Sequence, residues 1–432
     1  MNKKLAPIAL AATLAAASLV AVPPAAAQVQ DPDLAPPRGK FEAEPAPEPE
    51  KPYVVPDTPR SVADWSRYQS RSFSFQLGGV VLLDYTHFNQ DAASLAQVGK
   101  QESQWQARAA RLMAHGTIGS DYKVAYLFAA EYKGFDSDPA EYWSLTDLSF
   151  TFPLGGPATK LTVGKTKETF SYEMVGDAAN LPQQERVLNP FFVSRNVGAK
   201  LIHVFGEDHR MTFAAGVFNN GWLKGESSDH GTDVSARLTG LVFDQPGDKR
   251  FLHLGVSGRY VGADNDVLRY RGRPETNVGD YYVDTGNLNA SHARHLGLEM
   301  LWNEGPFSIL AEEIRAQVSS PVSGNTQFSG YYVTGSWILT GETRPYDRTV
   351  GYARRIIPEH STGAVELVAR YSHVDLDDGV VTGGKFSRSH FGVNWWATKR
   401  WKLGLDWGRT KLDRFGTTGV TDSVLARMQM VL

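Results

Sequence analysis

From Phe73 onward, apolar and polar side chains take turns along the chain. Phe73, Phe75, Leu77, Val81, Leu83 and Tyr85 alternate with Ser72, Ser74, Gln76, Asp84 and Thr86. Tyr122, Val124, Tyr126 and Phe128 alternate with Lys123, Ala125 and Ala129. Val234, Ala236, Leu238 and Val242 do so with Asp233, Ser235, Arg237 and Thr239, and Leu252, Leu254, Val256 and Tyr260 with His253, Ser257 and Arg259. Period two sustained over about eight to eleven residues predicts strands with one apolar and one polar face. About sixteen such segments begin near Phe73, Ser103, Asp121, Trp143, Lys160, Asn196, Arg210, Thr232, Arg250, Arg294, Pro306, Phe328, Thr362, Ser387, Arg400 and Asp422. Turn-forming residues fill the gaps, as in Gly155-Gly156-Pro157, Gly206-Glu207-Asp208 and Pro246-Gly247-Asp248. No long amphipathic helix is visible.

An open sheet of this size would expose unpaired backbone at its edges, and a soluble sandwich of this length would be expected to split into domains. A closed antiparallel barrel of about sixteen strands removes the edges, so the predicted fold is all-β and transmembrane, with the apolar face in lipid and the polar face toward a lumen. Short links such as Gly206 to His209 alternate with longer ones such as Ala263 to Ala293, predicting short periplasmic turns and long outer loops. Tyr132, Trp143, Trp337, Trp395 and Trp407 fall on the apolar face near strand ends, where an aromatic girdle belongs. At the chain end, Val424, Ala426, Met428, Met430 and Leu432 alternate with Leu425, Arg427, Gln429 and Val431. Closing a barrel against its first strand requires such a terminal strand.

The N-terminus sets the compartment. Lys3 and Lys4 precede an apolar run from Ile8 to Val22, and Ala25-Ala26-Ala27 supplies small residues for cleavage, so residues 1–27 are expected to be a signal peptide and the mature chain to start at Gln28. The run is shorter than the roughly 20 residues of a spanning helix. Residues 28–70, with Pro36-Pro37, Pro45, Pro47, Pro49 and Pro52 among glutamates, predict an extended periplasmic extension ahead of a barrel over 71–432. There is no cysteine, so thiolate and disulfide chemistry are excluded. The formal net charge is −3, which argues against nucleic acid as a partner. Any anion preference must therefore arise from where the cations sit.

Chemistry is sought on the polar faces. Arg108, Arg237, Arg259, Arg370 and Arg427 lie there and are expected to face the lumen. Arg111 has the opposite parity from Arg108 and faces inward only if a bulge intervenes or it sits at the rim. The competing reading is that such arginines pair with acids such as Asp84, Asp147, Glu131 and Glu366 and hold the wall together. Asp375-Leu376-Asp377-Asp378-Gly379 begins like a calcium loop, but Val380 and Phe386 stand at its sixth and twelfth positions, so an exposed turn is expected. No HExxH metal spacing, nucleophile elbow or phosphate loop is present, and neither enzyme nor cofactor is expected.

Several stretches carry a more specific signal. Tyr331-Tyr332-Val333-Thr334-Gly335-Ser336-Trp337 runs into Leu339-Thr340-Gly341-Glu342-Thr343-Arg344-Pro345-Tyr346. Gly363-Ala364-Val365-Glu366-Leu367-Val368-Ala369-Arg370-Tyr371-Ser372, Gly383-Gly384 and Gly392-Val393-Asn394-Trp395-Trp396 follow. With these the chain, from about Phe73 to Leu432, resembles the phosphate-selective porin O and P family. Val163-Gly164-Lys165 with Lys167-Glu168, and Arg195-Asn196-Val197-Gly198, resemble that family's fifth strand, constriction loop and sixth strand. The resemblance implies a homotrimer in the Gram-negative outer membrane that passes phosphate or polyphosphate through a basic constriction. It also implies that a loop over about Glu168 to Ser194 folds inward, so that Lys165, Lys167, Arg186 and Arg195 form the positive side of the eyelet. The near-neutral barrel leaves a general or sugar-permeable porin as the alternative.

Overall fold

The computed structural model describes residues 66–135, 141–219 and 230–432. The expected signal peptide and residues 28–65 of the expected extension lie outside them. Sixteen long strands form the wall: β1 (Ser74–Gln90), β2 (Gln104–Ile118), β3 (Val124–Tyr132), β4 (Trp143–Pro153), β5 (Thr159–Thr166), β6 (Asn196–Phe205), β7 (Met211–Asn219) and β8 (His230–Gln245). The second half continues with β9 (Arg250–Ala263), β10 (His292–Glu304), β11 (Phe307–Ser320), β12 (Gly324–Ile338), β13 (Ala364–Asp378), β14 (Val381–Trp396), β15 (Trp401–Arg414) and β16 (Thr417–Val431). Each pairs antiparallel with its sequence neighbours, and β16 returns to β1 in a register running from Val80↔Val431 to Gln90↔Thr421. The closed antiparallel barrel expected from the alternation is thus present, and its last strand does close the wall. A short strand, Arg67–Gln69, folds back onto Ser74–Gln76 at the foot of β1.

The solvation pattern is that of a wall between lipid and lumen. Along β15, Trp401, Leu403, Leu405 and Trp407 are exposed on the outside, while Lys402 and Asp406 are buried within. Leu405 is 56% exposed against 1% for Lys402, the reverse of a water-soluble sheet. Trp143, Trp337 and Trp395 lie at or next to strand ends as expected, whereas Trp407 sits in the middle of β15.

Three strand starts differ from the pattern-based positions. β12, β14 and β16 begin at Gly324, Val381 and Thr417, each several residues before the predicted Phe328, Ser387 and Asp422. Their outer ends project beyond the apolar band, where no lipid imposes alternation. Tight hairpins carry the pairing upward instead: between β15 and β16, Phe415 and Gly416 both adopt positive φ (56° and 73°), the geometry of a two-residue type I′ turn.

The link-length rule needs correction at both ends, since the outer links 321–323, 379–380 and 415–416 are tight hairpins. Most turns at the end bearing the termini are short, but residues 339–363 between β12 and β13 form a long segment there. This periplasmic segment, residues 167–195 and residues 264–291 all fold into the lumen. Their side chains, among them Phe170, Leu188, Phe191, Tyr282 and Tyr352, form one hydrophobic core with Leu310, Ile314, Phe328, Tyr332 and Val374 of the wall. The main apolar core of the barrel therefore lies inside it. A polar lumen face alone did not predict this, because the covering side chains come from sequence-distant loops.

Candidate functional site

The inward segments are positioned by buried charge. Glu312 on β11 accepts the backbone amides of Tyr172 and Glu173 at 2.8 and 3.2 Å and the Tyr332 hydroxyl at 3.0 Å. Glu173 accepts the amides of Val187 and Leu188 at 3.1 and 3.2 Å, closing the loop on itself. Arg370 of β13, stacked 3.8 Å from the Tyr332 ring, donates to Glu173 at 2.7 Å and to Glu275 of the second segment at 2.6 Å. The third segment joins through Arg344, which donates to the Asn180 carbonyl at 3.1 Å and pairs with Glu366. The Ala353 amide donates to the Tyr172 hydroxyl at 2.9 Å. One arginine thus ties two segments to the wall, and the third segment is tied to the first.

What remains open is a cavity of about 1300 Å³. Its lining holds fourteen Lys and Arg side chains against five Asp and Glu, in a chain whose formal charge is −3. Cations are concentrated in the lumen, so the near-neutral total is no guide to the pathway.

Of the nine cations expected from sequence to face inward, six line this cavity: Arg108, Lys165, Lys167, Arg186, Arg195 and Arg237; Arg427 is buried against Asp84 and Glu185. Arg259 and Arg370 also point inward but lie beneath the lining. Arg259 is held by Glu168 and Asp233, both at 2.7 Å, and Arg370 by its two glutamates. Arg237 is largely consumed by Glu299 and by the Val350 and Gly351 carbonyls. Arg108 is the extra residue of a bulge, since Leu82 faces Ala109 and Leu83 faces Ala107 across β1 and β2. That bulge lets both Arg108 and Arg111 line the cavity despite their opposite parity. Each acid named as a structural partner holds an arginine: Asp84 with Arg427, Asp147 with Arg195, Glu131 with Arg111 and Glu366 with Arg344.

A second group of lining cations meets carbonyls or rings in place of carboxylates. Lys165 donates to the Leu145 carbonyl at 2.7 Å, and Lys200 to the Lys167 carbonyl at 2.8 Å. Arg186 donates to the carbonyls of Glu173 and Gly176 at 2.5 and 3.1 Å. Arg271 and Arg273 stack on Tyr281 at 4.3 and 3.9 Å. These keep an uncancelled positive charge facing the cavity. Lys167 is intermediate, bonded to Asp177 at 2.6 Å and the Gly176 carbonyl at 2.8 Å. Burial pulls the Lys167 ammonium down to about 8 against the upward pull of Asp177. Burial likewise lowers Arg186, to about 10. Glu185 stays ionised, at about 2, because Arg108 and Arg427 outweigh the upward push of burial.

Sequence reading missed Lys200 and the arginines at 269, 271, 273, 354 and 355, all of which line the cavity. For three of them a signal was present. In Arg269-Tyr270-Arg271-Gly272-Arg273 the extended chain puts the guanidinium groups on one side and buries Leu268, Tyr270 and Gly272 on the other.

The family model described as "Phosphate-selective porin O and P" matches residues 75–432. The chain belongs to the phosphate-selective porin O and P family. It is 24% identical over 402 residues to Porin O of Pseudomonas aeruginosa, spanning 84% of this chain and 89% of that one. An uncharacterized protein of Caulobacter vibrioides is 30% identical over 176 residues, 39% of this chain and 35% of its own. Among solved structures, the anion-selective porin from Comamonas acidovorans superposes with a TM-score of 0.53 at 12% identity, covering 83% of this chain and all of its own. The outer membrane channel DcaP of Acinetobacter baumannii gives 0.51 at 12% identity, over 84% and 99%. This member of the porin O and P family is an outer-membrane porin, a channel for anions. Its family stretches supply lumenal scaffolding: Glu366 and Arg370 of the GAVELVARYS run bind the inward segments, and LTGE opens the periplasmic one.

Proposed function

We propose that this porin passes phosphate and related small anions by passive diffusion, and that it works as a homotrimer. The excess of cations over acids lining the cavity carries the reading. An anion entering from outside meets the guanidinium row of Arg269, Arg271 and Arg273 on the inward outer loop. It then reaches the narrowing formed with residues 167–195, where Arg108, Arg111, Lys165, Lys167, Arg186 and Arg195 converge on the lining. Beyond lie Lys200 and, on the periplasmic segment, Arg354 and Arg355. A row of separate weak sites suits passage: each attracts the ion, and none holds it so firmly that it cannot move on. Phosphate gains over chloride because guanidinium forks match its oxygens and its charge at neutral pH exceeds one.

Reversal potentials of the purified protein in planar bilayers under a KCl gradient test the charge preference, and block of the chloride current by phosphate tests the substrate. A potential on the cation side, or phosphate without effect, would refute the corresponding part. The mass of the detergent-solubilised particle tests the trimer.

A further inference from the structure

The basic lining occupies only part of the cavity wall. Four adjacent strands, β16, β1, β2 and β3, present apolar side chains to the lumen where polar ones were expected. Val80, Leu82, Ala109, Met113, Leu127 and Val431 all line the cavity. They form one strip: Val80 pairs with Val431 across β1 and β16, Leu82 with Ala109 across β1 and β2, and Met113 with Ala129, two residues from Leu127, across β2 and β3. Between Val80 and Leu83 both faces of β1 are apolar, although only one meets lipid.

Elsewhere apolar lumenal wall is covered. Leu310, Ile314, Phe328 and Val374 lie beneath Phe170, Leu188 and Phe191 of the first inward segment. The β1–β3 strip is outside that cluster; its Leu82, Ala109 and Val431 are buried, while Val80, Met113 and Leu127 stay half-exposed to the cavity. The upper end of that half-exposed part is cationic: Arg111, paired with Glu131, sits opposite Val80 and one step above Met113, and Arg108, paired with Glu185, adjoins Ala109 above it. A solute on this wall therefore meets positive charge at one end and hydrocarbon at the other. Inorganic phosphate makes no use of the second surface.

We propose that the solutes accommodated here are organic phosphates, with a phosphate head at Arg108 and Arg111 and a short alkyl or aryl group laid along the Val80–Met113–Leu127 strip. This rests on the anion reading above and narrows its substrate class. Contact with one wall removes about half of a methylene's surface from water, which corresponds to about twofold tighter binding per methylene.

The test uses the full-length protein in planar bilayers at pH 8, reading the concentration that halves the chloride current for inorganic, methyl and butyl phosphate. The half-blocking concentration is expected to fall about eightfold from methyl to butyl phosphate. Met113→Gln with Leu127→Gln is expected to abolish that trend while leaving the block by inorganic phosphate and the open-channel conductance unchanged. Equal block by methyl and butyl phosphate in the unaltered protein would overturn the proposal, as would a trend that survives in the double variant. Failure of inorganic phosphate to block, together with a cation-side reversal potential, would overturn the anion reading itself and this inference with it.

Discussion

Arg370→Met removes the wall guanidinium that bonds to the first and second inward segments at once, while Arg259, Arg108 and Arg427 still hold the first and Arg388 the second. Arg370 is 3% exposed and bonded at 2.6 and 2.7 Å to Glu275 and Glu173, both fully enclosed. Burial already holds Glu173 above the usual carboxylate range although Arg370 opposes it, so without Arg370 this carboxylate must protonate or leave. Breaking a buried pair from one side costs about 3–5 kcal/mol, which shifts the equilibrium between docked and released segments by about two to four orders of magnitude. The sixteen-strand wall does not depend on this contact. The expected result is a folded barrel with larger, noisier single-channel conductance and new protease cuts within 167–195 or 264–291. Glu275 keeps Arg388 at 3.5 Å, so the stranded charge is Glu173; adding Glu173→Gln removes it and is expected to restore part of the docking. Unchanged conductance and protease resistance in Arg370→Met would refute the reasoning, as would a double variant no better than the single.

Other expectations follow from the same geometry. Lys167→Glu with Arg186→Glu changes the lining by four charge units; at about 6 Å, with screening at 0.1 M salt, each unit is worth about 0.4 kcal/mol to a monovalent ion. The anion-to-cation permeability ratio should then fall by about two orders of magnitude in reversal-potential measurements, and an unchanged ratio would remove both residues from the pathway. Because the Lys167 ammonium titrates near 8, it is charged below that pH and loses its charge as pH rises through it, so anion preference should weaken about threefold from pH 7 to 9. Lys167→Arg stays charged and should flatten that profile; a slope that persists in it would assign the titration elsewhere. N-terminal sequencing of the protein recovered from outer membranes should begin at Gln28, and a chain retaining Lys3 and Lys4 would contradict the expected cleavage.

The alternation from Phe73 to Leu432 was enough to specify the architecture. In an exported chain, lipid outside and water inside require opposite polarity on successive residues, and that requirement is local, written strand by strand. Parity also placed Arg237, Arg259 and Arg370 on the inward side, and local resemblance singled out Lys165, Lys167 and Arg195, which line the cavity. Only the tertiary structure decided which of these inward cations remain available. Arg259 and Arg370 are neutralised by Glu168, Asp233, Glu173 and Glu275, whose distances in sequence range from 26 to 197 residues. The inward packing of 264–291 and 339–363 was equally hidden, because it depends on apolar loop side chains meeting apolar wall positions far away in the chain. Local spacing governs which way a side chain points; what it meets there depends on how a closed wall brings distant segments into one small volume.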